Sequence, residues 1–227
     1  MVVAELTIHV TYKRMKTMTL RVRMPDAQVV VSAPIGSPVA VIHDFVTSKI
    51  TWIRQHQQRI TARAAHTTPD LRDEGTVRVW GKSLPLRIHT AQKNRLVQQP
   101  DAIELHLVPE HDHALRQAHI DLLYRRLVQH ELPALIATWA PRMQVTVKKT
   151  FVQKMKTRWG SCNYRAHHIR LNSELASYPP QCLEYVVVHE LVHLLEASHN
   201  QRFYALMTQF YPEWKTVRAL LRGIPED

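Results

Sequence analysis

At 227 residues and 45% hydrophobic content the chain can bury a core, as one large domain or two small ones, which excludes a disordered or fibrous protein. No apolar run approaches the roughly 20 residues that span a bilayer, the opening MVVAELTIHVTYKRMK lacks a secretory apolar region, and Cys162 and Cys182 are too few for a disulfide framework. A cytoplasmic protein with no membrane contact is therefore expected, and its formal charge of +11, from 30 Lys+Arg against 19 Asp+Glu, raises the question of an acidic partner.

In chain order, period-2 segments at Glu5 to Tyr12, Thr19 to Met24 and Gln28 to Val31 predict a small antiparallel meander. Pro34, Gly36 and Pro38 break it. From Ser37 as N-cap, Val41, Phe45, Ile53 and Ile60 fall near helical spacing and predict one long amphipathic helix. The polar stretch Thr67 to Gly75 then leads to strands at Val77 to Trp80, Leu84 to His89, Asn94 to Val97 and Ile103 to Val108, with a hairpin at Gly81-Lys82-Ser83. A composition shift near Pro109 to Asp112 marks a boundary, dividing residues 1–110, β-rich with a long helix, from residues 111–227. After it, Ala114, Ala118, Leu122, Leu123, Leu127 and Leu132 predict a second long helix, interrupted near Pro133 and finished by Pro141.

Further on, the pattern predicts a strand at Val145 to Lys149, a turn around Trp159-Gly160-Ser161 and a strand at His168 to Leu171. A helix from Gln181 to Leu195, buried on most sides, is followed by short helices at Gln201 to Phe210 and Glu213 to Arg222. The fold class is α+β.

His189-Glu190-Leu191-Val192-His193 carries the chemistry. Helical spacing of i and i+4 puts the two imidazoles on one face, and Glu190 is the general-base candidate. Two histidines and a glutamate in an otherwise apolar helix carry a desolvation cost that a bound zinc ion would offset. A catalytic zinc needs a third protein ligand. His199 is preferred because Ser198 and Asn200 are capping types, which requires the helix to end near Ser198; Glu213 is the second candidate. Most of the 15 histidines have no partner at ligand spacing and are given no metal role. Between Glu131 and Glu174 no acidic residue occurs, so a basic stretch from Lys148 to Arg170 runs up to the motif. It is either a solvated face or a surface for nucleic acid or nucleotide.

HELVHLLEASHNQRF, preceded by RWGSC at Arg158 to Cys162 and RLNSEL at Arg170 to Leu175, resembles the YgjP-like metallopeptidases, relatives of the SprT and WLM zincins. The likeness runs over nearly the whole chain, from the early strands through Trp52-Ile53 and Gly81 to Ile88 to the closing Phe210-Tyr211-Pro212-Glu213-Trp214. It implies a zincin-like C-terminal domain, zinc on His189, His193 and His199, and Glu190 as acid/base. Ser198 stands where members of the family often carry asparagine, and a serine can also cap the helix that follows.

Glu196, one turn past His193, is a candidate hydrogen-bond acceptor for a ligand imidazole. Asn172 either meets substrate backbone along a sheet edge or caps a turn. Trp159 and Gly160 shape a loop against the active helix, Arg158 sits beside them, and Cys162 is either a small buried residue or a reactive thiol. Tyr204, Tyr211 and Arg202 are candidates for stabilising an oxyanion. Three functions follow: a zinc peptidase acting on peptides or proteins, a metal-dependent nucleotide phosphohydrolase using the same site, and a DNA-associated, SprT-like protease.

Overall fold

The computed structural model describes residues 1–23, 26–67, 69–108 and 113–221, without the side chains of residues 62–67. Met24, Thr68, the expected boundary at Pro109 to Asp112 and Arg222 lie outside the described residues. Two compact units divide the chain, Met1–Ala65 and His66–Asp227.

The first unit holds β1 (Val2–Val3), β2 (Leu6–Lys13), β3 (Thr19–Arg23) and β4 (Gln28–Pro34), in the order β1-β2-β4-β3. It is not a meander. β4 pairs parallel with β2, Ile8 opposite Val29, and antiparallel with β3. The physical reason lies in β4, whose Val29, Val30, Val31 and Ala33 are all buried. A strand apolar on both faces is stable at the centre of a sheet, whereas Thr-Leu-Arg-Val-Arg of β3 tolerates the edge.

The predicted long helix is two helices, α1 (Val39–Thr47) and α2 (Ile50–Thr67). Thr47 and Ser48 end α1, their hydroxyls donating to the carbonyls of His43 (2.9 Å) and Phe45 (2.8 Å). Ser37 does not cap it, since its hydroxyl donates to the Pro34 carbonyl and Pro38 takes the N-cap position. Ile42 and Val46 of α1 and Ile53 of α2 share a core with Ile8, Val29 and Val31.

In the second unit, β5 (Gly75–Val79), β6 (Lys82–Thr90), β7 (Arg95–Gln98) and β8 (Ile103–Leu107) form a sheet ordered β5-β6-β8-β7. The β5–β6 turn is Trp80-Gly81, one residue earlier than predicted, with φ of 49° and 82°. Positive φ at both positions suits the twist of a two-residue hairpin. Trp80 and Gly81 donate backbone hydrogen bonds to the Ala176 and Ser177 carbonyls, tying the hairpin to the chain before the HExxH helix.

Helix α3 (His113–Arg142) runs unbroken through Pro133. The proline forfeits a hydrogen bond to the Gln129 carbonyl and costs about 3 kcal/mol in a helix interior. Leu132 on one side and Trp139 and Ala140 on the other are buried, and this packing carries the helix across the gap.

Next come β9 (Lys149–Gln153), β10 (Gly160–Asn163) and β11 (His168–Asn172), in the order β10-β11-β9, with β9 parallel and β10 antiparallel to β11. β9 begins where the predicted strand ends, because residues 145–148 are still turning off α3, Val145 donating back to the Ala140 carbonyl. Gly160 is in a strand, not a turn. A 3-10 turn (Ser173–Ser177) leads to α4 (Pro180–Val192), α5 (Gln201–Phe210) and α6 (Trp214–Leu221). One core takes in Val77, Leu86 and Leu105 from the β5–β8 sheet together with Ile120, Val128, Leu171 and Val187, so apolar packing spans the expected 110/111 boundary and the compact units part at Ala65.

Candidate metal centre

α4 is apolar almost throughout, with Val186, Val187, Val188, Leu191 and Val192 buried, so the helix that carries the motif is fixed by hydrophobic packing along most of its surface. His189 lies in its last turn and His193 at its C-cap, so the helix ends well before Ser198. The earlier ending leaves six residues to fold back, and His199 returns to the metal-facing side. Ring centroids stand 5.0 Å apart for His189 and His193, 5.1 Å for His189 and His199, and 4.6 Å for His193 and His199.

One ligand atom from each histidine lies within 4.8 Å of the others. Nε2 of His189 and Nε2 of His199 are 3.1 Å apart. Two nitrogens on one tetrahedral ion with bonds of ~2.0–2.1 Å are separated by about 3.3 Å, so the spacing fits a shared metal. Protonation fits too. Burial, then the neighbouring histidines and Arg218, push the His189 pKa down to about 3, and burial lowers those of His193 and His199. Neutral imidazole is the ligating form. His193 Nδ1 donates to the Glu196 carbonyl at 3.2 Å, which leaves Nε2 for the metal. The predicted help from Glu196 thus comes from its backbone, while its carboxylate accepts from the Ser198 N–H.

Glu190 is 4% exposed, and its Oε2 has no hydrogen-bond partner among the described residues. Burial raises its pKa to about 8 against the opposing pull of Arg158. Gly160 explains how the carboxyl fits: a Cβ there would come within 2.9 Å of the Glu190 Cγ and Cδ. β10 therefore passes against the acid with bare backbone. Cleft and site coincide, in an opening of about 650 Å³ lined by His189, Glu190, His193 and His199.

The YgjP-like, metallopeptidase domain family matches residues 16–223. The chain belongs to this family. No curated protein matches it. Among solved structures it is similar to the metallopeptidase zymogen jannalysin of Methanocaldococcus jannaschii, at 17% identity over 39% of this chain and 91% of that one, with a TM-score of 0.35.

Within the family's domain the other predicted residues take varied places. Arg158 and Trp159 line the cleft, and Trp159 packs edge-on against Tyr178 at 5.0 Å. Asn172 is fully buried and meets loop backbone instead of an open edge, its Nδ2 donating to the Met155 and Arg158 carbonyls. Cys162 lines the cleft, but burial and then the Glu190 charge push its thiol up to about 12, which argues against a nucleophile.

Tyr204 lies behind the histidines, stacked on Trp214 at 5.4 Å and facing His199 at 6.4 Å. Tyr211 points its hydroxyl at the Gln181 carbonyl, and neither it nor Arg202 lines the cleft. Glu213 is not grouped with the histidines. Asn200, not Ser198, caps α5, accepting from the Phe203 N–H at 3.0 Å.

Sequence reasoning missed Arg218 and Tyr185, which line the cleft from α6 and α4. Arg218 has no spacing signal, whereas Tyr185 lies one helical turn before His189 on α4, within reach of the same i/i+4 rule. Phe203 was seen only as part of the family pattern. Fully buried, its ring stands 4.9, 4.7 and 4.6 Å from the rings of His189, His193 and His199. It is the common apolar backing of all three imidazoles. Phe203→Leu is expected to weaken metal affinity at least ~10-fold, the usual effect of losing support behind ligands, in competition with a chromophoric chelator. Wild-type affinity in a folded variant would contradict that role.

Proposed function

We propose that this chain is a zinc-dependent peptidase in which His189, His193 and His199 hold the metal and Glu190 is the general base. The observation that carries the reading is the convergence of three neutral imidazoles beside a buried carboxyl with an unpartnered oxygen, in an open cleft. Zinc bound there supplies a Lewis acid that polarises a carbonyl and makes water acidic near neutral pH. The residues do the rest. Glu190, with a pKa raised close to neutrality by burial, can take a proton from the attacking water and return it to the leaving amine. Bare backbone at Gly160 leaves room for the carboxyl, and the apolar packing of α4 keeps water from its far side. Arg158 and Arg218 give the cleft a positive field suited to developing negative charge.

Support for a peptide or protein substrate comes from the family's description as a metallopeptidase domain. No helix among the described residues is long and apolar enough to cross a membrane. Cys162 and Cys182 are both free thiols, which suits the cytoplasm.

The test is cleavage of casein and of a peptide library by zinc-loaded protein. Hydrolysis is expected to disappear with a chelator and in His199→Ala, with zinc bound at one equivalent in the wild type and weakly in the variant. Release of pyrophosphate from nucleoside triphosphates without any peptide cleavage would replace this reading with a phosphohydrolase.

A further inference from the structure

The β10-β11-β9 sheet has two edges, and only β10 borders the metal cleft. Along the other edge, β9 has β11 on one side and no strand on the other among the described residues. Between β9 and α3 runs a groove of about 610 Å³. Residues 147–153 form one wall, and Leu132, Pro133, Ile136 and Ala137 supply an apolar opposite wall. An unpaired strand edge offers alternating N–H and C=O groups, the pattern an extended peptide completes. Across the groove stands Gln129, whose carbonyl gets no helical N–H because Pro133 has none to give.

Charge selects the occupant. Lys148 and Lys149 line the groove, both are exposed, and no described carboxylate lies within ion-pair distance of either. Lys154, past the other end of β9, is already held by Asp121 at 2.8 Å. Arg170 faces the same strand, its guanidinium 4.8 Å from the Phe151 ring centre. No acidic residue occurs from residue 132 to residue 173.

We propose that this groove is a second, non-catalytic binding site that takes an acidic, extended peptide segment as an added strand on β9. Its distance from β10, two strand spacings or roughly 10 Å, lets one protein chain occupy groove and cleft together. That the segment belongs to a substrate rests on the peptidase reading; the binding itself does not. An oligonucleotide would use the lysines but has no use for the strand edge.

The experiment uses full-length Glu190→Gln protein, so that no probe is cut, and fluorescence anisotropy of a labelled peptide alternating glutamate and valine. Binding is expected for this peptide and not for its lysine-valine counterpart, with loss on methylating alternate backbone nitrogens. Lys148→Glu/Lys149→Glu and Ala137→Trp, all at exposed positions, are each expected to weaken it roughly tenfold or more, while His199→Ala leaves it unchanged. Equal binding in Ala137→Trp, no binding of the acidic peptide, or competition by oligothymidylate through the same lysines would each overturn the proposal. Failure of casein cleavage by the wild type would instead strike the peptidase reading and leave this one standing.

Discussion

Glu190→Gln is expected to lower peptide hydrolysis by a factor of about 10²–10⁴ while making the metal-free protein more stable above about pH 5. The two effects share one cause. In the unfolded chain the carboxyl ionises near its ordinary pKa of 4.5, but in the fold burial raises that value to about 8. Below the lower value both states are protonated and the burial is tolerated. As pH rises toward the upper value, the unfolded chain gives up its proton first, so stability falls across that window and the fall is complete once the folded carboxyl ionises. Glutamine does not titrate. Chelator-treated wild type and variant should therefore have similar urea midpoints near pH 4.5 and diverge by a few kcal/mol near pH 8. Bound metal, being cationic, should shrink the gap. Parallel curves across that range would show that the acid is not held in a desolvated site.

Asn172→Ala should be the most damaging change away from the metal. The side chain is wholly buried and makes four hydrogen bonds: Nδ2 donates to the carbonyls of Met155 (2.8 Å) and Arg158 (2.9 Å), and Oδ1 accepts from the N–H groups of Met155 (3.2 Å) and Glu174 (3.1 Å). Alanine removes all four of those hydrogen bonds at a buried position, at about 3–5 kcal/mol for the set. Aspartate should do no better, since it keeps the acceptor and points negative charge at two carbonyls. Because the Asn172 N–H also donates to the Trp159 carbonyl, the loop it secures is the approach to Gly160. Activity at a temperature where the variant is still folded should fall in kcat more than in KM. A stability loss under ~1 kcal/mol by denaturant titration would contradict this account.

The local grouping of the three histidines was legible in the sequence. Helical spacing puts His189 and His193 on one face, and the capping types around residue 199 point to His199 as their partner; the three side chains do converge, though Asn200 is the cap. α5, with its clear apolar face, appears where the pattern places it, and α3 covers the predicted span without the predicted interruption. Pairing was harder to read, because alternation says which residues face inward and not which strand lies alongside; the parallel β2–β4 pair therefore looked like a meander. Pro133 was read as a breaker because propensity is local, whereas the burial that overrides it comes from residues distant in sequence. Arg218 reaches the site from α6 through tertiary packing alone, which no spacing rule encodes.

Gly160 was read as a turn residue and is instead a gap left for a carboxylate. Every substitution there adds a Cβ, so in a saturation-mutagenesis survey position 160 should tolerate as little as position 190, although it supplies no reacting side chain. Gly36 differs: with φ of 83° and nothing within 4 Å of a built Cβ, it should accept asparagine. Gly160 and Glu190 are thus coupled sterically. Cutting the acid back in Glu190→Ala removes the Cγ, Cδ and Oε1 that a Cβ at position 160 would meet, and the double variant should fold better than Gly160→Ala alone.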